Sequence, residues 1–325
     1  MNWNEKIILL TGGTGSFGQK FTEILLKKYN PKTIRIFSRD ELKQWEMEKK
    51  FNGDSRLRFF IGDIRDKERL NMAMDGVNIV VHAAALKHVP VCEYNPFEAV
   101  KTNVLGAQNI IESALEHDLE KILALSTDKA VNPVNLYGAT KMCMEKLFIA
   151  ANSYAGDRRL RMSCVRYGNV IGSRGSVIPL FKKQRETGKI TITDGNMTRF
   201  WITLEQGIKF VIKCVEKMYG GEVFIPKIPS MKVTDLAAVC APGCKIEKIG
   251  IRPGEKLHEC LLTDDESRHS LEYDSFFIIE PEHPFWDQKI LKHGKKLPVD
   301  FKYTSDNNKW WLSIDELKKI VSDML

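Results

Sequence analysis

Short apolar runs alternate with amphipathic stretches through the first half of the chain. Six runs rich in Ile, Leu, Val and Phe predict buried strands, because each is short and is followed by turn residues. They cover residues 6–11, 33–38, 57–62, 78–84, 121–126 and 161–167. Apolar positions three and four residues apart predict helices between them, including residues 16–28 and 99–115. This alternation predicts an α/β fold with a doubly wound parallel sheet, whose strand carboxyl ends share one ligand-binding edge.

The alternation stops after about Gly168, where Pro, Gly and charged residues become frequent. Residues 172–176 and 252–256 are two such segments. We therefore expect residues 1–170 to form the sheet domain, with some later segments packing back onto it. Residues 171–325 should mainly form a smaller, mixed α/β lobe that closes over the sheet edge. The apolar face of residues 313–325 predicts a terminal amphipathic helix.

The composition is that of a globular protein. With 43% hydrophobic and 28% charged residues among 325, it excludes disordered, collagen-like and coiled-coil classes. The formal net charge of +7 is scattered along the chain, which favours a solvated surface over nucleic-acid binding. Cys240 and Cys244 have no second Cys or His pair at zinc-site spacing, so we expect buried free thiols and no metal. Without a signal-peptide pattern or a run near the ~18 apolar residues that span a bilayer, we expect a cytoplasmic protein with no membrane partner.

A glycine-rich turn follows the first predicted strand and opens the first predicted helix. Gly12, Gly15 and Gly18 have the G-x-x-G-x-x-G spacing of a phosphate-binding turn. The first glycine permits the tight turn, the second lets the backbone approach a pyrophosphate, and the third lets the helix pack close to the sheet. The turn therefore predicts a dinucleotide at the helix N-terminus of a Rossmann-type domain.

The end of the second predicted strand selects the cofactor. An Asp or Glu there usually hydrogen-bonds the ribose diol of NAD, whereas Ser38 and Arg39 suit the 2′-phosphate of NADP. Lys43 would add a second cation, while Asp40 is able to take the NAD role and leaves that alternative open. After the third strand, Asp63 is either a neighbour of the adenine or a helix cap. Our prediction is NADP.

A tyrosine and a lysine one helical turn apart follow the fifth predicted strand. Tyr137 and Lys141 are i and i+4, so they share a helix face. A nearby ammonium and a positive nicotinamide would favour the phenolate, which makes Tyr137 a candidate base during hydride transfer. Ser126 and Thr127 add hydroxyl groups at the end of the strand.

Asp128 and Lys129 place an acid and a base directly after the same strand. An alcohol dehydrogenase needs only the tyrosine and the hydroxyl, so this pair predicts a second proton-transfer reaction. For Lys129 to act as a base its pKa must fall, and we expect the nicotinamide and Lys141 to lower it. We interpret His82, inside an apolar strand, as a hydrogen-bonded core residue, and neither His82 nor His88 as a metal ligand.

Segments along nearly the whole chain resemble the inverting UDP-N-acetylglucosamine 4,6-dehydratases, a family of the extended short-chain dehydrogenase/reductases that makes the first intermediate of pseudaminic-acid-type sugars. The segments are TGGTGSFG, SRDELKQ, HAAALKHVP, STDKAVNPVNLYGATK, VRYGNVIGSRGSVIP, MTRFWIT and IRPGEKLHE. Two contrasts sharpen the resemblance. The dTDP-glucose 4,6-dehydratases have Asp-Glu where this chain has Asp128 and Lys129. Larger membrane-anchored relatives often lack the tyrosine that this chain keeps as Tyr137.

The resemblance implies UDP-N-acetylglucosamine as substrate, tightly held NADP, and a homo-oligomer paired through the helices after the fourth and fifth strands. It implies an NADP-binding Rossmann domain followed by a substrate-binding lobe. The implied catalytic residues are Asp128, Lys129, Tyr137 and Lys141. The implied cofactor-binding residues are Thr11, Gly12, Thr14, Gly15, Ser16, Phe17, Gly18, Ser38, Arg39, Lys43, Asp63, Ile64, Ala83, Ala84, Lys87, Thr102, Tyr137 and Lys141. The implied substrate-binding residues are Lys87, Asn169, Arg174, Val177, Thr191, Arg199, Arg252 and Glu255.

The implied reaction removes water and leaves the cofactor as it began. Tyr137 takes the C4 hydroxyl proton while the C4 hydride moves to NADP. Lys129 then takes the C5 proton, and Asp128 protonates the leaving C6 hydroxyl. The hydride returns to C6, and a proton adds to C5 from the opposite face, which inverts that centre.

Two other functions stay open on the sequence alone. A UDP-sugar 4-epimerase shares the fold, the glycine turn and the Tyr–Lys pair, but it needs no acid–base pair at positions 128 and 129. A regulatory protein that senses NADP without turnover usually loses the tyrosine or the lysine, and this chain keeps both.

Overall fold

The computed structural model describes residues 1–171, 177–282, 286, 291 and 293–322. Strands β1 to β17 are, in chain order, Ile7–Thr11, Thr33–Ser38, Leu57–Ile61, Ile79–His82, Lys121–Leu125, Arg161–Val165, Asn169–Ile171, Lys189–Ile192, Thr198–Thr203, Val223–Pro226, Ser230–Lys232, Lys245–Lys248, Cys260–Leu262, Ser270–Glu272, Phe276–Ile279, Lys295–Lys296 and Tyr303–Thr304. Helices α1 to α12 are Ser16–Lys28, Glu41–Lys50, Lys67–Met74, Val89–Tyr94, Pro96–Val100, Gly106–Leu115, Leu136–Ala150, Val177–Arg185, Leu204–Lys217, Val233–Cys240, Asp264–Ser267 and Ile314–Ser322.

The six strands predicted in the first half are all present, and each ends within two residues of its predicted end. Helix α1 begins and ends where the apolar pattern places it. The helix predicted at residues 99–115 differs, because it starts three residues earlier, at Pro96, and contains a π-helical segment at Lys101–Leu105. Proline suits the first turn of a helix, where its missing N–H is not needed. The terminal helix is confirmed as α12, and residues 323–325 lie outside the described part of the chain.

The central sheet has ten strands in the order β16-β14-β15-β10-β6-β5-β4-β1-β2-β3. Strands β1 to β6 are parallel in the 3-2-1-4-5-6 order of the Rossmann fold, with helices between successive strands, which confirms the predicted fold class. Strand β10 continues the sheet in parallel, and β15, β14 and β16 add an antiparallel edge. The second half of the chain therefore enlarges the sheet that the first half builds.

A second, smaller apolar cluster lies in the later part of the chain. Helices α8, α10 and α12 bury Ile178, Phe181, Leu236 and Leu317 there, together with Ile190 of β8. Strand β8 pairs with β12, and β7, β9 and β11 form a separate three-stranded sheet. Helix α9 packs instead against α1 and β5. This arrangement carries β9 and the segment before β13 to the carboxyl edge of the central sheet.

The cysteines fit the expectation of free thiols. All seven are unpaired in the described structure, and Cys92, Cys164, Cys214 and Cys240 are buried. Cys143 is exposed on α7, so the expectation of burial does not hold for every thiol. Within the described ranges, no helix has both the length and the apolar character needed to cross a bilayer.

Candidate active site

The glycine turn after β1 has the shape that its sequence predicts. Gly12 has φ +66°, and a Cβ added there would lie 2.9 Å from the Cα of Ala84, so only glycine fits. Its N–H donates to the carbonyl of Phe37 at 2.9 Å, which ties the turn to the end of β2. A Cβ on Gly18 would lie 2.2 Å from the carbonyl oxygen of Gly13, so α1 packs directly on the turn. Gly15 is the N-cap of α1 and supplies no side-chain cap, which leaves the first N–H groups of the helix facing the turn.

Thr11 joins the ends of β1 and β4 beside this turn. Its hydroxyl accepts from the N–H groups of Ala83 and Ala84 at 3.2 and 3.3 Å. It also contacts Nδ1 of His82 at 2.8 Å. His82 is fully buried, and burial lowers its pKa to about 3, so it is the hydrogen-bonded core residue that the sequence predicts. In the described ranges, no group of His, Cys, Asp and Glu side chains is arranged to hold a metal ion.

The other residues assigned to the turn and the adenine side lie close to it. Thr14 is buried, and Phe17 stacks on Phe21 with ring centroids 5.5 Å apart. Ser16 is the first residue of α1. Ile64 and Thr102 are buried, and Ile64 packs against α6 at Gly106, where an added Cβ would lie 2.7 Å from its Cδ1. His88 is exposed at the start of α4.

The end of β2 carries the side chains that we expect to determine whether NADP or NAD is bound. The hydroxyl of Ser38 accepts a 3.0 Å hydrogen bond from Gln44. Arg39 keeps 57% of its side chain exposed and lies 3.6 Å from Asp63. Asp40 caps α2 by accepting from the N–H of Lys43, and its carboxylate also pairs with the Lys43 ammonium. Arg39 is therefore the cation at this strand end with the loosest pairing.

Asp63 does not cap the next helix. Asp66 caps α3 by accepting from the N–H of Arg69 at 2.9 Å. The carboxylate of Asp63 accepts from the N–H and guanidinium of Arg65 and also faces Arg39. Burial works to raise the pKa of Asp63, but these contacts outweigh it and hold that pKa below its usual value. Asp63 thus keeps Arg39 near the strand end as a charged partner.

The acid and the base after β5 form a hydrogen-bonded pair. Lys129 Nζ lies 3.1 Å from Oδ1 of Asp128, inside a short 3-10 turn that Thr127 caps. Thr127 donates to the same Oδ1 at 2.8 Å, and the Asp128 N–H is held by the carbonyl of Tyr167. Asp128 is fully buried, whereas the Lys129 side chain is 27% exposed. Oδ2 of Asp128 is left without a partner among the described residues.

Helix α7 places Tyr137 against this pair. Asn135 caps the helix by accepting from the N–H of Gly138 at 2.8 Å. A Cβ on Gly138 would lie 2.1 Å from the carbonyl oxygen of Lys129, so the first turn of α7 rests on the Lys129 backbone. Tyr137 is half-buried and forms a hydrogen bond with the side chain of Thr127.

Lys141 contacts Met144 in this structure, and its expected action on Tyr137 stays a prediction. The Lys141 ammonium lies 2.9 Å from the Sδ atom of Met144, and burial lowers its pKa to about 8. Burial raises the pKa of Tyr137 to about 12, and the Lys129 ammonium opposes this effect. The Lys129 charge therefore partly offsets the effect of burial on the phenol.

The expected fall in the Lys129 pKa is wrong for this structure. Burial acts to lower the pKa of Lys129, but the carboxylates of Asp128 and Glu259 outweigh burial and raise it above its usual value. Arg199 lowers this pKa. These surroundings hold Lys129 as an ammonium.

Glu259 is a site residue that the sequence reasoning missed. Its Oε1 atom lies 3.7 Å from Lys129 Nζ and 3.5 Å from Arg199 Nε, and its side chain is 4% exposed. Glu259 is the last residue of the segment IRPGEKLHE, four residues after Glu255. Its presence in that segment was the one feature of the sequence that could have pointed to it. Arg199 itself donates to the carbonyls of Thr198, Lys256 and Leu257.

The segment around Gly254 is hydrogen-bonded directly to the loop between β5 and α7, which carries Asp128 and Lys129. The Asn135 side chain donates to the Gly254 carbonyl at 2.8 Å, and the Lys256 ammonium donates to the carbonyl of Val131. A Cβ on Gly254, where φ is +78°, would lie 3.1 Å from Cβ of Asn135. These two hydrogen bonds connect the segment to the loop that carries Asp128.

The remaining candidate substrate residues come from several parts of the chain. Arg252 is 53% exposed and lies 3.9 Å from Oε1 of Glu255. Lys87 is exposed. The pKa of Lys87 is lowered, mainly by partial desolvation and to a smaller extent by the charge of Lys129. Thr191 bonds the side chain of Gln184, and Val177 begins α8. Arg174 lies outside the described residues.

Several buried acceptor atoms at this edge have no partner in the described part of the chain. They are Ser126 Oγ, Asp128 Oδ2, Asn169 Oδ1, Glu255 Oε2 and Glu259 Oε2. A buried polar group without a hydrogen bond costs about 1–3 kcal/mol, so these atoms fit a ligand rich in hydroxyl and N–H donors.

Known proteins resemble this chain over nearly its whole length. Residues 8–281 match the family described as polysaccharide biosynthesis protein. The chain is 53% identical to the UDP-N-acetylglucosamine 4,6-dehydratase (inverting) of Campylobacter jejuni, over 98% of each protein. It is 39% identical to the UDP-glucose 4-epimerase of Rickettsia conorii, over 98% of this chain and 95% of that one. Its fold superposes on the X-ray structure of Pen from Bacillus thuringiensis with a TM-score of 0.90 and 40% identity, over 99% of this chain and 100% of that chain.

Proposed function

Because this chain belongs to the family of inverting UDP-N-acetylglucosamine 4,6-dehydratases, within the extended short-chain dehydrogenase/reductases, we propose that it dehydrates UDP-N-acetylglucosamine. It is a hydro-lyase that inverts C5 and yields a UDP-2-acetamido-2,6-dideoxy-4-keto-hexose. The observation that carries this proposal is the hydrogen-bonded pair of buried Asp128 and half-buried Lys129 beside Tyr137. Dehydration needs an acid and a base besides the group that acts at the C4 hydroxyl, and this pair supplies them.

The residues at the sheet edge fit a nicotinamide dinucleotide. The turn at Gly12 is open only because that residue lacks a Cβ, and the uncapped start of α1 suits a pyrophosphate. We favour NADP over NAD, because Arg39 is available to a 2′-phosphate while Asp40 is engaged as the cap of α2. The bound cofactor would accept a hydride from C4 of the sugar and return it to C6.

The protein's own groups move the protons of this reaction. Tyr137 acts as a phenolate, the form that a positively charged nicotinamide favours, and takes the proton of the C4 hydroxyl. C4 can then become a ketone, which acidifies C5–H. Lys129 takes the C5 proton, and Asp128 gives a proton to the C6 hydroxyl, which leaves as water. The C5–H and C6–O bonds break, and a C5–C6 double bond forms. Reduction at C6 and protonation of C5 from the opposite face complete the product.

The donors of the substrate fit the unpartnered acceptors at the site. Glu255 and Asn169 have free acceptor atoms for hydroxyl or amide groups of the ribose, uracil or sugar. We assign the diphosphate first to Arg252, because its guanidinium is exposed and only loosely paired. Arg199 donates most of its hydrogen bonds to backbone carbonyls. We therefore propose that it mainly stabilises the local structure of the site and contributes less to phosphate binding.

The test is incubation of the protein with UDP-N-acetylglucosamine and NADP in D₂O, followed by NMR. We expect a 4-keto-6-deoxy product that carries deuterium at C5 with inverted configuration. Lys129→Ala should abolish this product, and Lys146→Ala, an exposed lysine on α7, should leave it unchanged. Retained configuration at C5 would remove the inverting assignment. Absence of any product over hours would favour a protein that senses NADP without turnover.

A UDP-sugar 4-epimerase is the second candidate, and the Rickettsia relative with that name favours it. Such an enzyme would turn UDP-N-acetylglucosamine into UDP-N-acetylgalactosamine without loss of water. Its activity would survive Lys129→Ala, because only the C4 centre reacts. The same NMR experiment therefore separates the two candidates.

We also propose that the protein is cytoplasmic and assembles as a homo-oligomer through the helices after the fourth and fifth strands, which are α4 to α6 and α7. Large apolar side chains are exposed there, with Tyr94 at 87% and Phe97 at 78%. Sedimentation equilibrium of the native protein and of Phe97→Glu tests the assembly. A monomer at micromolar concentration of the native protein would contradict it.

A further inference from the structure

Glu259 lies between two cations at the bottom of the site. Its Oε1 atom is 3.7 Å from Lys129 Nζ and 3.5 Å from Arg199 Nε. Its backbone is fixed by Ser305, whose hydroxyl accepts from the Glu259 N–H at 2.9 Å and whose N–H donates to the Glu259 carbonyl at 2.8 Å. Its second oxygen, Oε2, is buried and has no partner among the described residues. A carboxylate held in this way can act on the two neighbouring cations through its negative charge.

Among the four side chains joined by contacts shorter than 4 Å, the charges balance only while Lys129 is protonated. Asp128 and Glu259 supply two carboxylates, and Lys129 and Arg199 supply two cations. Loss of the Lys129 proton would leave a net negative charge in a buried cluster, which is unfavourable in a medium of low polarity. Tyr137 faces Lys129 as a neutral phenol, and the Lys87 ammonium interacts with it from the loop after β4.

The elimination needs one proton on the pair of Asp128 and Lys129. The reactive form has a neutral amine to take the C5 proton and a carboxylic acid to protonate the C6 hydroxyl. This form has the same number of protons as the ammonium–carboxylate pair and differs by one proton transfer across the 3.1 Å contact of Nζ and Oδ1. After water leaves, Lys129 holds the former C5 proton and Asp128 is again a carboxylate, so the count of protons is restored.

On the basis of the proposed function, we propose that Glu259 is a positioning residue that keeps this single proton on the pair of Asp128 and Lys129. It acts through its charge on Lys129 and does not contact the reacting atoms. The two carboxylates together overcome burial and raise the pKa of Lys129, in agreement with this role. Asp128 alone serves as the acid, because its carboxylate has the shorter contact to the Lys129 ammonium.

The test replaces the charge of Glu259 while keeping its size. In Glu259→Gln, the alkaline limb of the kcat profile should move to lower pH, because Lys129 loses the carboxylate charge that favours its ammonium form. We expect a shift of at least about one pH unit, which is a tenfold change in the proton equilibrium. The KM for UDP-N-acetylglucosamine should stay within about twofold. Glu259→Asp, which restores the charge, should bring the limb back towards its native position. A Glu259→Gln enzyme whose alkaline limb is unchanged would overturn the proposal, whatever its kcat.

A second measurement does not depend on turnover. The rate at which acetic anhydride labels each lysine, followed by mass spectrometry across pH, reports the protonation of Lys129 in the native protein. The labelling midpoint of Lys129 should lie above that of the exposed Lys146, and Glu259→Gln should lower it. A native Lys129 midpoint below that of Lys146 would overturn the proposal even if the variant does not fold. If the labelling behaves as expected and no dehydrated sugar forms, the proposed function fails and the role of Glu259 in holding the proton stands.

Discussion

The Asn135 side chain donates a 2.8 Å hydrogen bond to the carbonyl of Gly254 while its oxygen caps α7 through the N–H of Gly138. One amide therefore joins the helix that carries Tyr137 to the segment that carries Arg252 and Glu255. Under the proposed function, binding of the UDP group and placement of the phenol would be coupled through this residue.

Substitution of Asn135 should separate these two functions. Asn135→Ser keeps a helix cap but loses the donor to Gly254, so we expect little change in stability and a several-fold increase in KM for the UDP-sugar. Asn135→Ala also loses the cap, which should cost about 1 kcal/mol more. Thermal unfolding and steady-state kinetics of the two variants test this. Equal KM values for Asn135→Ser and the native enzyme would show that the bond to Gly254 does not order the substrate site.

The sheet and its ligand-binding edge could be predicted because their signals are local. An apolar run followed by turn residues specifies a strand almost by itself, and α1 was placed at both ends by its apolar face and the glycines before it. The π-helical segment at Lys101–Leu105 was not predicted, because its sequence has the same apolar spacing as an ordinary helix. The pairing of β10 with β6 and β15 joins residues far apart in the chain, and no local pattern specifies such partners.

The ionisation of Tyr137 should respond to Lys129 and not to Lys141. The pKa of Tyr137 is about 12, raised by burial and lowered in part by the Lys129 charge. Lys129→Met should therefore move phenolate formation to still higher pH, whereas Lys141→Met should leave it unchanged. Added NADP should move it to lower pH, because a positive ring favours the phenolate.

Ultraviolet difference titration of each protein against its Tyr137→Phe counterpart isolates this tyrosine. The sign is fixed by the ionisation: a raised pKa keeps Tyr137 neutral at neutral pH, so activity that needs the phenolate increases with pH. A shift in Lys141→Met as large as that in Lys129→Met would contradict the assignment of Lys129 as the tuning charge.

Asp128→Asn should uncouple proton removal from loss of water. The amide has no acidic proton for the C6 hydroxyl, so formation of the 4-keto-6-deoxy product should fall by about 10²-fold or more. The Asn oxygen can still accept from Thr127, so the fold should be kept. Lys129 remains able to exchange the C5 proton, and substrate recovered from D₂O should gain deuterium at C5. Product formation at the native rate would remove Asp128 from the role of acid.

The protonation states at the site could not be predicted, because they depend on contacts between distant segments. Lys129 next to Asp128 was visible in the sequence, but the second carboxylate, Glu259, comes from a segment 130 residues later. The sequence placed Lys141 one turn after Tyr137, and only the structure shows its ammonium at Met144. Adjacency in the chain revealed the acid–base pair, while its charge balance required the fold.

Arg39 should determine the preference for NADP. Its side chain is 57% exposed and its contact with Asp63 is long, at 3.6 Å, so a 2′-phosphate can compete for it. A charged hydrogen bond contributes about 1.5–3 kcal/mol, so Arg39→Ala should weaken NADP binding about 10- to 100-fold and change NAD binding less than about twofold. Fluorescence titration with both dinucleotides measures this. Arg58→Ala, an exposed arginine on β3, is the matched control. An equal loss of affinity for NADP and NAD in Arg39→Ala would show that Arg39 does not bind the 2′-phosphate.

Gly12→Ala should destroy the cofactor site, and Gly53→Ala is its matched control. Both glycines have positive φ, +66° and +62°, so alanine introduces similar backbone strain of about 1 kcal/mol at each. Only Gly12 is crowded: an added Cβ would lie 2.9 Å from the Cα and N atoms of Ala84, whereas nothing lies within 4 Å at Gly53. We expect Gly53→Ala to lower Tm by a few degrees and to bind NADP normally. Gly12→Ala should lose more stability and should bind NADP at least about tenfold more weakly, because β1 and β4 must separate to admit the methyl group. Equal NADP affinities in the two variants would show that the dinucleotide does not lie over the turn at Gly12.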